Sequence, residues 1–329
     1  MIKKLTSIFI LALSSVIFIG CNSDNKNISN EPKSETREMK IVIPDGLPAI
    51  GAAELIKNNT EIDNYKLNFS IEKTTENLVT SVLKNEPDIA IVPSNIAATS
   101  FNKSGEYKIA ATTGFGSFYL ISTDGTKDIK DLKGKEIYNI GKGLTPDIVT
   151  KTLLEKMGYN SDKDFNFSYV NGVTELAPAV LSGKVKYAVV PEPALSQIEA
   201  KKKVTVILNL NEKWKELFKS NYGFPQATVI VKKDLITNHQ MFLEDFLKNL
   251  KESVDFANSK GKDLGAICSD IGVSVKGDII AKSIDKANLK YVPIKDSIKE
   301  YNDYFRILNE FSPKSIGGKV PSEEIYLQK

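Results

Sequence analysis

One histidine, His239, and two cysteines, Cys21 and Cys268, are all that this 329-residue chain offers to imidazole or thiol chemistry. A nucleophilic relay needs a base beside its nucleophile and a third group to orient that base. A single histidine following Asn238 at a helix start suits a surface or capping role instead. Structural and catalytic zinc sites need three or four clustered nitrogen or sulfur ligands. No metal and no cofactor is therefore expected, nor is an enzyme active site of these kinds. Cys268, inside the stretch 264–271, reads as a small buried hydrophobe. Trp214, on a short helix expected over Glu212 to Phe218, reads as a packing anchor. The formal net charge is +3, which leaves no electrostatic footprint for nucleic acid. What remains is recognition by hydrogen bonds and ring stacking.

Cys21 has a different expected fate. Met1-Ile2-Lys3-Lys4 is a short basic start, and Leu5 to Ile19 is apolar apart from Thr and Ser. That is the pattern of an export signal, too short for a comfortable membrane span. It ends in Phe18-Ile19-Gly20-Cys21, which looks like a bacterial lipobox. Residues 1–20 are expected to be removed, and the Cys21 thiol to carry a diacylglyceryl group; two acyl chains anchor stably where one is marginal. The loss of Lys3 and Lys4 leaves the rest near neutral. Residues 21–37, rich in Asn, Ser, Lys and Glu, have almost nothing to bury and read as a flexible tether. Folding should begin near Glu38, on the extracytoplasmic face of the cell membrane.

From Met39 onward, short β-branched runs alternate with amphipathic stretches, the signature of an α/β fold. Strands are expected at Met39 to Ile43, Tyr65 to Glu72 and Asp88 to Val92, with helices at Ile50 to Lys57 and Glu76 to Lys84. A second series follows: strands at Glu136 to Ile140, Phe165 to Val170 and Tyr187 to Val190, helices at Pro146 to Met157 and Thr174 to Ser182. The two series superimpose. Leu78, Val82, Leu83, Ala90, Val92 and Pro93 recur 98 positions later as Leu176, Val180, Leu181, Ala188, Val190 and Pro191. Gly46-Leu47 recurs 97 positions later as Gly143-Leu144. The matched prolines and Gly-Leu pairs predict two similar α/β lobes. The boundaries fall at 38–116 plus 226–329 for the first lobe and 117–225 for the second. The chain crosses between them near Gly114-Phe115-Gly116 and again near Tyr222 to Gln226. The stripes Leu243, Phe246, Leu247, Leu250, Val254 and Ile294, Ile298, Tyr301, Phe305, Leu308 predict helices packed back on the first lobe.

Open α/β sheets bind ligands where strand C-termini meet helix N-termini. In the first lobe this selects Asp45, Gly46, Leu47, Ser94 and Asn95. In the second it selects Lys142, Gly143, Leu144, Thr145, Asn171 and Glu192. Thr113, Phe115, Gly116 and Gln226 join them at the crossings. Thr145 before Pro146 predicts a hydroxyl N-cap followed by proline at the first helical position. Glu192 reads two ways, as an acceptor for a ligand donor or as an acid at a helix N-terminus. Phe115 is a stacking surface or a core residue, and Lys142 a partner for an anion or a solvated loop residue.

On these residues the chain resembles the type II periplasmic-binding-protein superfamily. The similarity is greatest to the branch with sulfonate, nitrate, taurine and thiamine-precursor binders of ABC importers. The resemblance rests on the lipobox, Asp88-Ile89-Ala90-Ile91-Val92-Pro93, Ile129-Lys130-Asp131-Leu132-Lys133-Gly134-Lys135 and Gly141 to Pro146. It extends through 181–188 to Pro191-Glu192-Pro193 and to the C-terminal Ser315 to Pro321. Sulfonate binders usually carry an aromatic-rich stretch where Pro191-Glu192-Pro193 stands here. The resemblance implies a monomeric solute-binding lipoprotein that closes about a small polar or aromatic molecule. Its partners would be a permease and an ATPase. Enzymes of pyrimidine or menaquinone-precursor synthesis on the same fold, and a ligand-sensing receptor, are the competing implications.

Overall fold

The computed structural model describes residues 36–259, 261 and 263–328. Cys21, the expected export signal and all but the last two residues of the expected tether lie outside them. The first strand is β1 (Arg37–Pro44), followed by the short helices α1 (Leu47–Gly51) and α2 (Ala53–Asn58). Next come β2 (Glu61–Ile62), β3 (Tyr65–Glu72), α3 (Thr75–Leu83), β4 (Ile89–Pro93), α4 (Ser94–Ser104) and β5 (Tyr107–Phe115). The chain continues through β6 (Phe118–Ser122), β7 (Glu136–Ile140), α5 (Thr145–Lys156), β8 (Asn166–Val170), α6 (Val173–Leu181) and β9 (Tyr187–Pro191). It then forms α7 (Ala194–Glu199), β10 (Thr205–Asn209), α8 (Leu210–Phe218), β11 (Pro225–Lys232) and α9 (Lys233–Asn238). The last elements are α10 (Gln240–Asn258), α11 (Leu264–Asp270), α12 (Gly277–Ser283), β12 (Leu289–Pro293) and α13 (Ile298–Phe311).

Two mixed sheets result. One runs β12-β5-β11-β4-β1-β3-β2, the other β10-β6-β9-β7-β8. The repeat read from the sequence is visible in this order. β4-β1-β3 and β9-β7-β8 are equivalent parallel trios, each flanked by an antiparallel strand, β11 in one sheet and β6 in the other. Those two flanking strands are the ones that follow the crossings, so each sheet is completed by chain that has just left the other. β4 and β9 are apolar without alternation because helices cover both faces of a parallel core: Ile89, Ala90, Ile91 and Val92 are buried, as are Ala188, Val189 and Val190.

Local chemistry sets the element ends. Thr74 starts α3 by accepting from the Asn77 amide at 3.3 Å, the usual N-cap arrangement. α4 ends where Gly105 turns left-handed, a conformation that costs glycine little. The long helix α10 buries Phe242, Leu243, Phe246, Leu250, Val254 and Ala257 on a stripe three and four residues apart. It packs on α1, α2 and β12. α13 lies on α4 and β11 of the first sheet, and also touches α5 beneath the second.

Three expectations are corrected. Arg37 belongs to β1, where its guanidinium bonds Asp234 at 2.8 Å and meets His239, so order begins before Glu38. The helix expected over 50–57 is two short helices broken at Ala52. Thr145 is not an N-cap: α5 starts at Thr145, Pro146 takes the second position, and Leu144 stands at the cap without a side-chain bond. The Thr145 hydroxyl is instead held by Tyr304 of α13 at 2.6 Å.

Candidate functional site

The C-terminal edges of both parallel trios meet at the first crossing. Pro93, closing β4, pairs with Ala227 of β11, whose other neighbour is Gly114 of β5. Pro191, closing β9, pairs with Phe118 at the start of β6. Only residues 115–117 separate Gly114 from Phe118. The ends of β4 and β9 therefore both lie beside this segment.

The crossing is tightly fixed. The Gly116 amide donates to the Phe224 carbonyl at 3.0 Å, and the Glu192 amide donates to the Ser117 carbonyl at 2.9 Å. Gln226 Oε1 accepts from the Ser117 amide at 2.9 Å. A Cβ on Gly116 would lie 2.1 Å from the Phe224 ring, so glycine is required by close approach rather than by φ. Four expected site residues, Phe115, Gly116, Glu192 and Gln226, thus share one corner. Phe115 is buried and stacks on Tyr222, with ring centroids 5.2 Å apart, and Lys290 sits over the Tyr222 ring.

A second group stands at the start of α5. Asp147, buried, accepts from the Gly143 amide at 2.8 Å and the Tyr169 hydroxyl at 2.7 Å. Lys142 is exposed and lies over the Tyr169 ring at 5.5 Å, a cation–π placement. Leu144 is 46% exposed, an unusual place for a large apolar side chain beside polar loops. The matching group in the first sheet is Asp45-Gly46-Leu47. Asp45 Oδ1 accepts from the amides of Gly46 at 2.9 Å and Ser274 at 3.1 Å. Burial works to raise this carboxyl, yet the Ser274, Gly46 and Lys73 contacts hold it below the usual range. Space is open beside the α-carbons of Gly46 and Gly143.

Other expected residues serve the frame. Ser94 and Asn95 are not loop residues but the first turn of α4. Ser94 Oγ lies 2.7 Å from Thr228 Oγ1. The Tyr301 hydroxyl continues that chain, 2.7 Å from Thr228 and 2.9 Å from Thr112. Asn95 donates to the Ser315 carbonyl at 3.3 Å. Asn171 is exposed and its amide donates to Glu175 at 3.1 Å on its own helix start. Thr113 is buried, and its hydroxyl has no hydrogen-bond partner.

Glu192 stands just before α7 and bonds its first turn. It is 3% exposed, and its oxygens accept from the Ser196 amide at 3.2 Å and the Ser196 hydroxyl at 3.0 Å. Burial pushes this carboxyl up to about 7, against the opposing help of Ser196 and of the Lys286 charge. His239 lies elsewhere, between Tyr65 at 2.7 Å and Arg37, at the N-terminal end of β1 and β3. Cys268 is fully buried, and burial pushes its thiol up to about 12.

Sequence reasoning placed Tyr222 at the second crossing without a contact and did not single out Tyr304 or Asn288. Asn288 donates to the Gly116 carbonyl at 2.5 Å across 172 residues, a contact no local pattern announces. Tyr304 lay one residue from the Tyr301–Phe305 stripe, and a strict helical count could have included it.

Two sheets of this order, crossed twice and each completed by a strand from beyond a crossing, define the type II periplasmic-binding-protein fold. The chain belongs to the family described as menaquinone biosynthesis, whose model matches residues 54–270. It is 23% identical over 256 residues to YtlA of Bacillus subtilis (strain 168), named as a candidate binding protein; the alignment covers 76% of this chain and 74% of that one. A crystal structure of an ABC transporter protein from Parabacteroides distasonis superposes with a TM-score of 0.77 at 25% identity, covering 89% of this chain and 99% of that one. The periplasmic aliphatic sulphonate-binding protein SsuA of Escherichia coli superposes with a TM-score of 0.72 at 12% identity, covering 89% and 92%. The periplasmic nitrate-binding protein NrtA of Synechocystis PCC 6803 gives 0.60 at 13% identity, covering 86% and 84%.

Proposed function

We propose that this chain is the solute-binding component of an ABC importer, tethered to the outer face of the cell membrane through lipid on Cys21. The first lobe comprises 38–116 and 226–329, with Arg37 added by its place in β1, and the second 117–225. They close about a small polar or aromatic molecule that touches the Gly46-Leu47 and Gly143–Thr145 loops and the Phe115–Gly116 corner. The membrane permease and its ATPase then receive the solute. The observation that carries this reading is the meeting of both strand-end edges at residues 115–117, with Pro93 and Pro191 on either side. The fold recurs in an ABC transporter protein of Parabacteroides distasonis and in periplasmic binding proteins for aliphatic sulphonate and nitrate, which supports the reading.

The family description favours one alternative, an enzyme of menaquinone synthesis. The sequence opens on an export signal, and its one histidine is committed to Arg37 and Tyr65 at the far end of the first sheet. Both features support binding over catalysis. The test is a thermal-shift panel of sulfonates, nitrate, pyrimidines, flavins and amino compounds. A true solute at a hundred times its dissociation constant stabilises the fold by about 2.7 kcal/mol. Turnover of any panel compound would overturn the binding reading. For the anchor, Cys21→Ala should release the protein from membranes; retention of the variant would refute lipidation.

A further inference from the structure

β6 begins with two aromatic residues that face opposite ways, as adjacent residues of a strand must. Phe118 points into the cluster shared with Phe224 and Tyr304. Tyr119 points to the other face, among the residues that cover α6 and α7. There its hydroxyl donates to the Lys286 carbonyl at 2.7 Å. Lys286 lies in the short turn Ile284–Lys286 between α12 and β12, which is chain of the first lobe. Its ammonium pairs with Glu199 at the end of α7, in the second. Two residues on, Asn288 bonds the Gly116 carbonyl, and the Phe115 amide donates to the Asn288 carbonyl at 3.1 Å. Four polar links thus tie residues 286–288 to the crossing and to the second sheet's outer layer. Glu192 lies in the same corner, where the Lys286 charge reaches it.

We propose that Lys286 is a positioning residue for solute binding: with Tyr119 and Glu199 it forms a latch that must release for the two lobes to part. The chemistry suits that task. The lysine and glutamate side chains are 37% and 33% exposed, so both can be rehydrated when they separate, at little cost. On the Phe118 face the lobes meet where Tyr304 of α13 packs on Phe224 and Trp214, all three fully buried, and parting that contact would expose apolar surface. Opening therefore proceeds on the Lys286 side.

This inference rests on the reading that the lobes part to admit a solute, and the experiment is done without one. Amide hydrogen exchange is followed in the full chain in detergent, for Lys286→Glu, Glu199→Lys, their combination, Lys286→Arg and Tyr119→Phe. The reporters are the amides of Phe115, Glu192 and Ser196, with Ile91 and Ile230 inside the first sheet as references. Lys286→Glu should speed exchange at the reporters about three- to fivefold, the scale of a part-exposed ion pair, and leave the references unchanged. The double charge swap and Lys286→Arg should return the reporters toward the parent rate. Tyr119→Phe, which keeps the ring and its packing, should give a similar increase. Unchanged reporters in both Lys286→Glu and Tyr119→Phe would overturn the latch. So would equal acceleration at reporters and references, which would mark the contact as general stabilisation. A silent solute panel leaves these exchange results standing, and a failed latch leaves solute binding standing.

Discussion

The two faces of β6 join the same pair of lobes by opposite means. Behind Phe118, Trp214 of α8 packs edge-on against Phe224 and Tyr304, at centroid distances of 5.5 and 6.2 Å, and tilts onto Phe218 at 4.3 Å. Phe224 stacks on both Phe118 and Tyr304. Behind Tyr119, the lobes are joined by one hydroxyl and one ammonium, where α12 packs against α7. An aromatic cluster gains free energy by excluding water and loses it when parted. Polar links exchange protein partners for water with a small net change. A molecule that must hinge without falling apart needs one face of each kind.

The contrast can be broken first on its apolar side. Trp214→Ala should destabilise the fold by about 3–5 kcal/mol, since a fully buried ring leaves a cavity. Urea unfolding would show this as a lowered midpoint. A change under 1 kcal/mol would mean the aromatic face is not what holds the lobes together.

Glu192 sharpens the polar side. The folded protein keeps a proton on this carboxyl up to about pH 7, whereas the unfolded chain releases it near 4.5. The stability tied to that proton is full below about pH 4.5 and lost as pH rises through about 7, an effect of about 3 kcal/mol. Glutamine cannot ionise, so Glu192→Gln should match the parent near pH 4.5 and exceed it at pH 8. Denaturation midpoints across pH 4.5 to 8 would check this. Parallel profiles for the two proteins would show that Glu192 is ionised in the fold at neutral pH.

The smallest stability effect belongs to Lys286, where substitution should cost under about 1 kcal/mol while altering local exchange as described above. Large effects on the Phe118 face and small ones on the Tyr119 face are the pattern that a hinge and a latch require.

How much of this was written locally in the chain varies by feature. The duplicated trios were legible because buried parallel strands are continuous apolar runs, and because Pro93 and Pro191 end both third strands. The start of α4 was not legible because Pro93 both ends β4 and caps the helix that Ser94 begins, leaving no loop between them. Thr145 followed by Pro146 carries a strong local cap signal, overridden by Tyr304 reaching from 159 residues away. The burial of Glu192 against Ser196 was not legible from sequence, since an acid before a helix is equally at home in solvent. The latch had no local signature at all. It joins Tyr119 to a residue 167 positions later, through a carbonyl that every residue possesses.

Whether one solute is held between the two lobes is decided by solving the structure of the protein with a hit from the panel. Density should touch both the Gly46-Leu47 loop and the Gly143–Thr145 loop, with Phe115 or Tyr222 alongside. A ligand seated on one lobe alone, or in the groove between α11 and α12, would contradict it.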